Sequence, residues 1–340
     1  MFRRSAIHPL VFATFAAVAL GCGSDRPGTE SSTAGAKTPV VSGSSVDTAD
    51  PAVSTVKPEI TPVTYEQAES TYSSGDYPEA AQLFSLYTEK HPENAWGHFM
   101  LGLAAWKSGE SDRALSAFDR ALELDPNHRK SMYNSGRVLL EKGRAQEALE
   151  RIEQALSQEP NSTEGLRLLG RAKYQLGKVD EAIDAYRRAL ATDDRDVWSM
   201  NNLGLIYIEQ ERSSEALAPL ARAVQLRSNA PVFQNNLGVA LERSGYPVAA
   251  AKAYEAAIQV DSSYTKASVA LARVTGGEQQ PESEPVDLDS LAQSFQSDIE
   301  SWRGSEPVKD TSEVVGVGSD STTAAIEITS DTLEGDQQEE

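Results

Sequence analysis

The chain has one cysteine in 340 residues. No internal disulfide and no cysteine-based metal cluster can be built from it. Basic charge is also short: 31 Lys and Arg face 51 Asp and Glu, for a net charge of −20. A surface that grips nucleic-acid phosphates needs the opposite balance, so nucleic acid is not an expected partner. Signatures of catalysis are missing too: no H-E-x-x-H, no P-loop and no G-x-S-x-G is present. No enzymatic activity, metal or cofactor is therefore expected. The apolar run from Leu10 to Leu20 is too short for a transmembrane helix. The acidity is uneven. Residues 276–340 carry 17 acidic and 2 basic groups, whereas residues 1–60 carry five of each. The blunt reading of that segment is a solvated, mostly disordered tail.

What is present is a period. Gly102, Gly136, Gly170, Gly204 and Gly238 lie 34 residues apart. So do Ala80, Ala114, Ala148, Ala182, Ala216 and Ala250, and a third ladder runs Ala121, Ala155, Ala189, Ala223, Ala257. Six units fill residues 61–264 without an insertion: 61–94, 95–128, 129–162, 163–196, 197–230 and 231–264. Such a period marks a stack of supersecondary units. Within 95–128 the apolar residues recur at three- and four-residue intervals, which predicts helix. Lys107-Ser108-Gly109 interrupts the pattern, Ser111-Asp112 begins a second helix, and Asp125-Pro126-Asn127 ends it. Each unit is thus two antiparallel helices. Small residues at positions 8, 20 and 27 let the helices cross closely. Large ones at position 24 (Phe84, Phe118, Tyr186, Tyr254) fill the space beside them.

This pattern resembles the tetratricopeptide repeat (TPR). The resemblance implies an all-α, right-handed solenoid of about six helix-turn-helix repeats. Residues 265–275 restart the pattern and read as a capping helix. Departures are visible. Position 32 is proline in repeats 1–3 (Pro92, Pro126, Pro160) but Asp194, Ser228 and Ser262 afterwards. Tyr87 stands where Ala is usual, and Pro219 falls inside a second helix, where a local kink is expected. His98 sits at a packing position, and His91 and His128 at repeat ends, as exposed polar caps.

The N-terminus reads as an address. Arg3 and Arg4 precede the apolar run, which is the form of a signal peptide. It ends Val18-Ala19-Leu20-Gly21-Cys22, which resembles the lipobox of bacterial lipoprotein precursors. That resemblance implies cleavage after residue 21 and acylation of Cys22. The usual Leu three positions before the Cys is Ala19 here. Gly23, rather than Asp, follows the Cys, so the outer membrane, facing the periplasm, is the implied location rather than the inner membrane. More than one acyl chain would hold the protein on a bilayer without spanning it. Residues 22–60 then read as an extended linker, spanning roughly 35 Å as a flexible coil.

In the TPR family one stripe of each first helix, positions 2, 5, 6, 9, 12 and 13, lines a groove for peptides. Here that stripe changes along the array. In repeat 2 it is apolar and aromatic: Trp96, Phe99, Met100, Leu103, Trp106. In repeats 3 and 4 it is basic with an amide: Lys130, Asn134, Arg137, Arg167, Arg171. In repeats 5 and 6 it is amide-rich: Asn201, Asn202, Asn235, Asn236. Aromatics suit a desolvated anchor, arginines suit carboxylates, and asparagines suit a peptide backbone. Each has a structural alternative. The asparagines at position 6 belong to the repeat itself, the aromatics could pack on the next repeat, and the arginines could be a solvated face.

One tail segment breaks the monotony. Leu288, Leu291, Phe295, Ile299 and Trp302 recur at helical spacing, with Asp287 or Asp289 to cap a helix over 287–303. It is expected either to cover the end of the array or to lie in the groove as an internal ligand. The expected function is that of a scaffold at the cell envelope, binding extended or acidic-apolar peptide segments of other proteins to assist assembly of a complex. Six repeats behind a lipobox also resemble pilotin-type and polysaccharide-export lipoproteins. A regulatory adaptor autoinhibited by its acidic tail is the other reading.

Overall fold

The computed structural model describes residues 63–276 and 285–303. Among these, regular structure is entirely helical. Repeat 1 is α1 (Tyr65–Ser73) and α2 (Tyr77–Lys90), and repeat 2 is α3 (Ala95–Lys107) and α4 (Ser111–Leu124). Repeat 3 is α5 (Arg129–Glu141) and α6 (Ala145–Gln158), and repeat 4 is α7 (Thr163–Gln175) and α8 (Val179–Thr192). Repeat 5 is α9 (Val197–Glu209) and α10 (Ser213–Leu226), and repeat 6 is α11 (Pro231–Arg243) and α12 (Pro247–Val260). Then come α13 (Thr265–Gly276) and α14 (Leu288–Trp302). Each helix packs on the next through α13. First helices of adjacent repeats also touch one another, as α3 touches α5 and α5 touches α7.

The turns inside the repeats explain the 34-residue register. Position 15 has positive φ in every repeat. It is Gly75, Gly109, Gly143, Gly177 and Gly245, with φ of 87°, 84°, 70°, 75° and 85°. Only repeat 5 places another residue there, Glu211 at φ 60°. The next amide closes the helix end: Glu110 N–H reaches Ala105 O at 2.8 Å, and Arg212 N–H reaches Tyr207 O at 2.8 Å. This six-to-one closure satisfies a carbonyl the helix would leave bare.

The ladder glycines are contact points. A Cβ on Gly102 would lie 2.5 Å from the Phe118 ring, and one on Gly238 would lie 2.5 Å from the Tyr254 ring. On Gly204 it would meet Leu220 Cγ at 2.5 Å. Position 8 therefore receives the large residue at position 24 of its own repeat. All six position-24 side chains are fully buried: Phe84, Phe118, Ile152, Tyr186, Leu220 and Tyr254.

Some expectations change. The first helix of repeat 1 begins at Tyr65, not at the start of the unit, because Thr64 and Gln67 form a capping box there. Loss of proline at position 32 does not unravel repeats 4 and 6. Asp193 and Asp261 accept from the amides two residues on, at 2.9 and 2.8 Å, as Asp125 does in repeat 2. Pro219, where a local kink is expected, is buried within α10, which continues past it to Leu226. His128 is not an exposed cap. It is the N-cap of α5, and its Nδ1 accepts the Ser131 amide at 3.2 Å.

The tail helix takes neither expected place. It lies against α8 and α10, the second helices of repeats 4 and 5, away from the first-helix stripe and from the end of the array. Ala292, Phe295 and Ile299 are buried there. Its sequence is unsuited to pairing as the second helix of a seventh repeat. A second helix that crosses a first helix closely needs small residues at positions 20 and 27. The corresponding spacing around Phe295 puts Leu291 and Asp298 there. The bulky apolar side chains fit a notch between helices instead. Residues 1–62, including Cys22 and the linker, and residues 304–340 lie outside the described residues.

Candidate peptide-binding face

The first-helix stripe has an aromatic end, a charged middle and an amide end. At the aromatic end, Trp96 is the exposed member, with 41% of its surface accessible. Its indole N–H donates to the Tyr65 hydroxyl at 2.6 Å. Its ring packs against Phe99 (5.0 Å between centroids) and His128 (5.7 Å), and Lys130 Nζ sits 5.4 Å from its centre. The indole is thus held in place while part of its surface stays accessible. Burial pushes the Tyr65 hydroxyl up to about 12, so it remains a neutral hydrogen-bonding partner. Phe99, Met100 and Trp106 are buried. Trp106 donates to Glu141 Oε2 of the next repeat at 2.8 Å. The two roles considered for the repeat 2 aromatics are therefore divided between them: Trp96 is presented and the others hold the array together.

The basic middle is largely self-compensated. Arg137 is buried and donates to Glu164 Oε1 at 2.9 Å. Arg167 pairs with Asp196 Oδ1 at 2.9 Å, and that carboxylate is itself buried and accepts from Ser199 at 2.6 Å. Neither Glu164 nor Asp196 stood out in the sequence, because a pairing between residues 27 or 29 positions apart has no short-range signature. Arg171 is buried, and its Nε has no acceptor among the described residues. Asn134 spends its amide on the Lys130 carbonyl at 2.8 Å.

The amides form a ladder. Asn236 Nδ2 donates to Asn201 Oδ1 of the preceding repeat at 2.8 Å, Asn235 to Asn236 at 3.3 Å, and Asn201 to Asn202 at 3.5 Å. All four are buried. The first of these bonds joins repeats 5 and 6, and the other two link adjacent residues within each repeat.

Two aromatics of the same stripe belong with the site and escaped the residue-type reading. Tyr65 of repeat 1 is the latch on Trp96. Trp198 of repeat 5 is half-buried against Phe233 at 5.0 Å, with Arg227 over its ring at 5.9 Å. Position alone could have found both, since they occupy positions 5 and 2. Among the described residues no cluster of His, Cys, Asp or Glu could hold a metal, and no helix is long and apolar enough to cross a membrane.

Sequence profiles agree with this architecture. The profile for the TPR domain of cytochrome c-type biogenesis protein H matches residues 86–196. A general tetratricopeptide-repeat profile matches 167–231 and 201–265. Together they span residues 86–265, over half of the chain. The chain belongs to the TPR family. Among solved structures, the TPR array is similar to the Cut9–Hcn1 hetero-tetramer of the APC/C, with a TM-score of 0.54 and 18% identity. That match covers 61% of this chain and 41% of that one. It is also similar to a tetratricopeptide repeat protein from Parabacteroides merdae ATCC 43184, with a TM-score of 0.53 and 15% identity, covering 62% of this chain and 82% of that one. At such identities the likeness shows the fold alone. No curated protein matches the sequence. The TPR fold makes this chain a protein–protein interaction scaffold, a role for which such repeats typically do no chemistry.

Proposed function

We propose that the TPR array captures an extended segment of another protein on its first-helix face, and that acylated Cys22 holds it at the cell envelope while it does so. The observation that carries the binding site is Trp96. A large indole, fixed by Tyr65 and flanked by Lys130, keeps 41% of its surface accessible, whereas Phe99 and Trp106 of the same helix are buried. An apolar side chain would pack on the indole, and an adjacent carboxylate would meet Lys130. The partner is thus an acidic-apolar segment. The Val18-to-Cys22 signature supports the anchor, at the outer membrane facing the periplasm. The biogenesis protein for which the 86–196 profile is named supports reading the role as assistance in assembling an envelope complex.

A photo-crosslinking residue placed at position 96 of the full chain in cells tests the site. It should capture one dominant partner, identified by mass spectrometry, and Lys130→Glu in the same chain should lower the yield severalfold. Equal capture from position 86, an exposed leucine on a second helix, would remove the case for this face. Cys22→Ser should move the protein from the detergent to the aqueous phase on phase separation, and no change in partition would remove the lipid anchor.

A further inference from the structure

We propose that the notch between α8 and α10 is a regulatory helix seat: α14 fills it, and its occupancy is communicated to the first-helix face through residues 193–196. This regulation bears on binding only if the reading of the groove above holds, but the coupling itself does not depend on it.

The seat is more than apolar contact. Phe295 and Ile299 enter the core shared by repeats 4–6, and each half of the helix also has polar or aromatic partners on the array. Gln296 bridges two elements. Its carbonyl accepts from Arg222 of α10 at 2.9 Å, and its amide donates to Asp194 Oδ2 at 3.0 Å. Arg303 pairs with the same Asp194 oxygen at 3.0 Å and donates to the Ala191 carbonyl at 3.1 Å, a bare acceptor at the end of α8. Arg187 of α8 lies 5.3 Å from the centre of the Trp302 ring. Asp194 stands at position 32, where repeats 1–3 carry proline. The departure from the repeat pattern therefore supplies the anchor of the seat. The hydrogen bond from Gln296, then that from Arg303, hold the Asp194 carboxyl below its ordinary range.

The link to the other face is short. Two residues after Asp194, Asp196 stands at the N-cap position of α9, and its carboxylate binds Arg167 of the groove stripe at 2.9 Å. One connection thus has an outward carboxylate that holds α14 and an inward carboxylate that holds a groove arginine. A second route runs through Arg187, which meets Trp302 on one side and donates to the Tyr207 hydroxyl of α9 at 3.1 Å on the other. Release of α14 would loosen the connection and weaken the hold of Asp196 on Arg167. By reciprocity, a ligand carboxylate that draws Arg167 away would weaken the seating of α14.

Hydrogen exchange on the full-length chain tests this without any ligand. Leu291→Asp places a charge on the half-buried face of α14 and leaves Gln296 and Arg303, the partners of Asp194, and Arg167, the partner of Asp196, in place. Exchange should rise across 288–302, and the amides of 195–200 should also exchange faster by roughly five-fold or more, the low end of ordinary site-to-site coupling. Protection in α3–α6 should be unchanged, and the rise at 195–200 should exceed any general rise across α11 and α12, which separates a local link from loosening of repeats 4–6 as a whole. Phe295→Asp is the second route to release if the first leaves α14 seated. Asp194→Asn approaches from the other side and should raise exchange in α14. The proposal is overturned if α14 is released while 195–200 stay protected, or if Asp194→Asn leaves α14 as protected as before. Failure of crosslinking at position 96 would instead count against the groove alone.

Discussion

Position 8 holds a buried Ala68 in repeat 1, but in repeats 2–6 it is glycine and a methyl group there would press on its neighbours. The five glycines there differ in what a methyl group would strike. At Gly238 it would lie 2.5 Å from a Tyr254 ring carbon, and the ring is fully buried. At Gly136 it would lie 3.0 Å from Ile152 Cγ1, part of a more adaptable side chain. Gly238→Ala should therefore cost about 1–3 kcal/mol, and Gly136→Ala clearly less, since overpacking is tolerated where the neighbour can shift. Gly238→Leu should cost more than either. Thermal melts of the variants check the order, and equal losses at 136 and 238 would contradict the assigned contacts. The same scale shows where residue type was a poor guide. Arginine and asparagine look like ligand groups in a string of letters. Arg137, Arg167 and the four asparagines are instead engaged with other parts of the array, because their partners come from a neighbouring turn or repeat.

Helix ends carry the next level of information. Most first helices start on a side-chain acceptor, as α3 does on Asn94 and α7 on Ser162. Helix α5 uses His128, which makes its cap titratable. Burial lowers the pKa of His128, and of His98 in α3. A histidine depressed in the folded state stabilises fully above its unfolded value, about 6.5. That contribution is lost as pH falls from there toward the folded value, because the unfolded chain binds more protons. Protonation of Nδ1 would also destroy the acceptor for the Ser131 amide. Melting temperature should thus fall between roughly pH 7 and pH 5. His128→Asn keeps a capping acceptor and should flatten that slope. A slope equal to the parent's would show that the cap does not contribute.

Across the whole array, stability should be a sum of repeat and interface terms rather than one cooperative unit. The described core falls into two clusters, one centred on repeats 1–3 with α7, the other running from α8 through α13 and including α14. Helix α14 braces only the second. Leu291→Asp should accordingly destabilise repeats 4–6 and leave repeats 1–3 as they were. Exchange or calorimetry would show this as a shift in one component of unfolding. A uniform shift of both would mean that the array melts as one.

Period, helix pairing, crossing points and turns were all legible in the chain, because each is set by residues within one 34-residue unit. A glycine meets the side chain sixteen positions on, and a turn closes on a carbonyl five residues back. Even the limits of the tail helix were readable from its apolar spacing and from Asp287, which caps it. Its seat was not. Nor was the division of the groove stripe into the presented Trp96 and its buried neighbours. Those depend on contacts between residues about 30 to over 100 positions apart, such as Trp96 with Tyr65, Arg167 with Asp196, and Arg303 with Asp194. A repeating sequence specifies how each unit folds, since every unit meets the same local demands. Which surfaces stay open after the units stack is decided by what the neighbours bring, and only the assembled structure contains that.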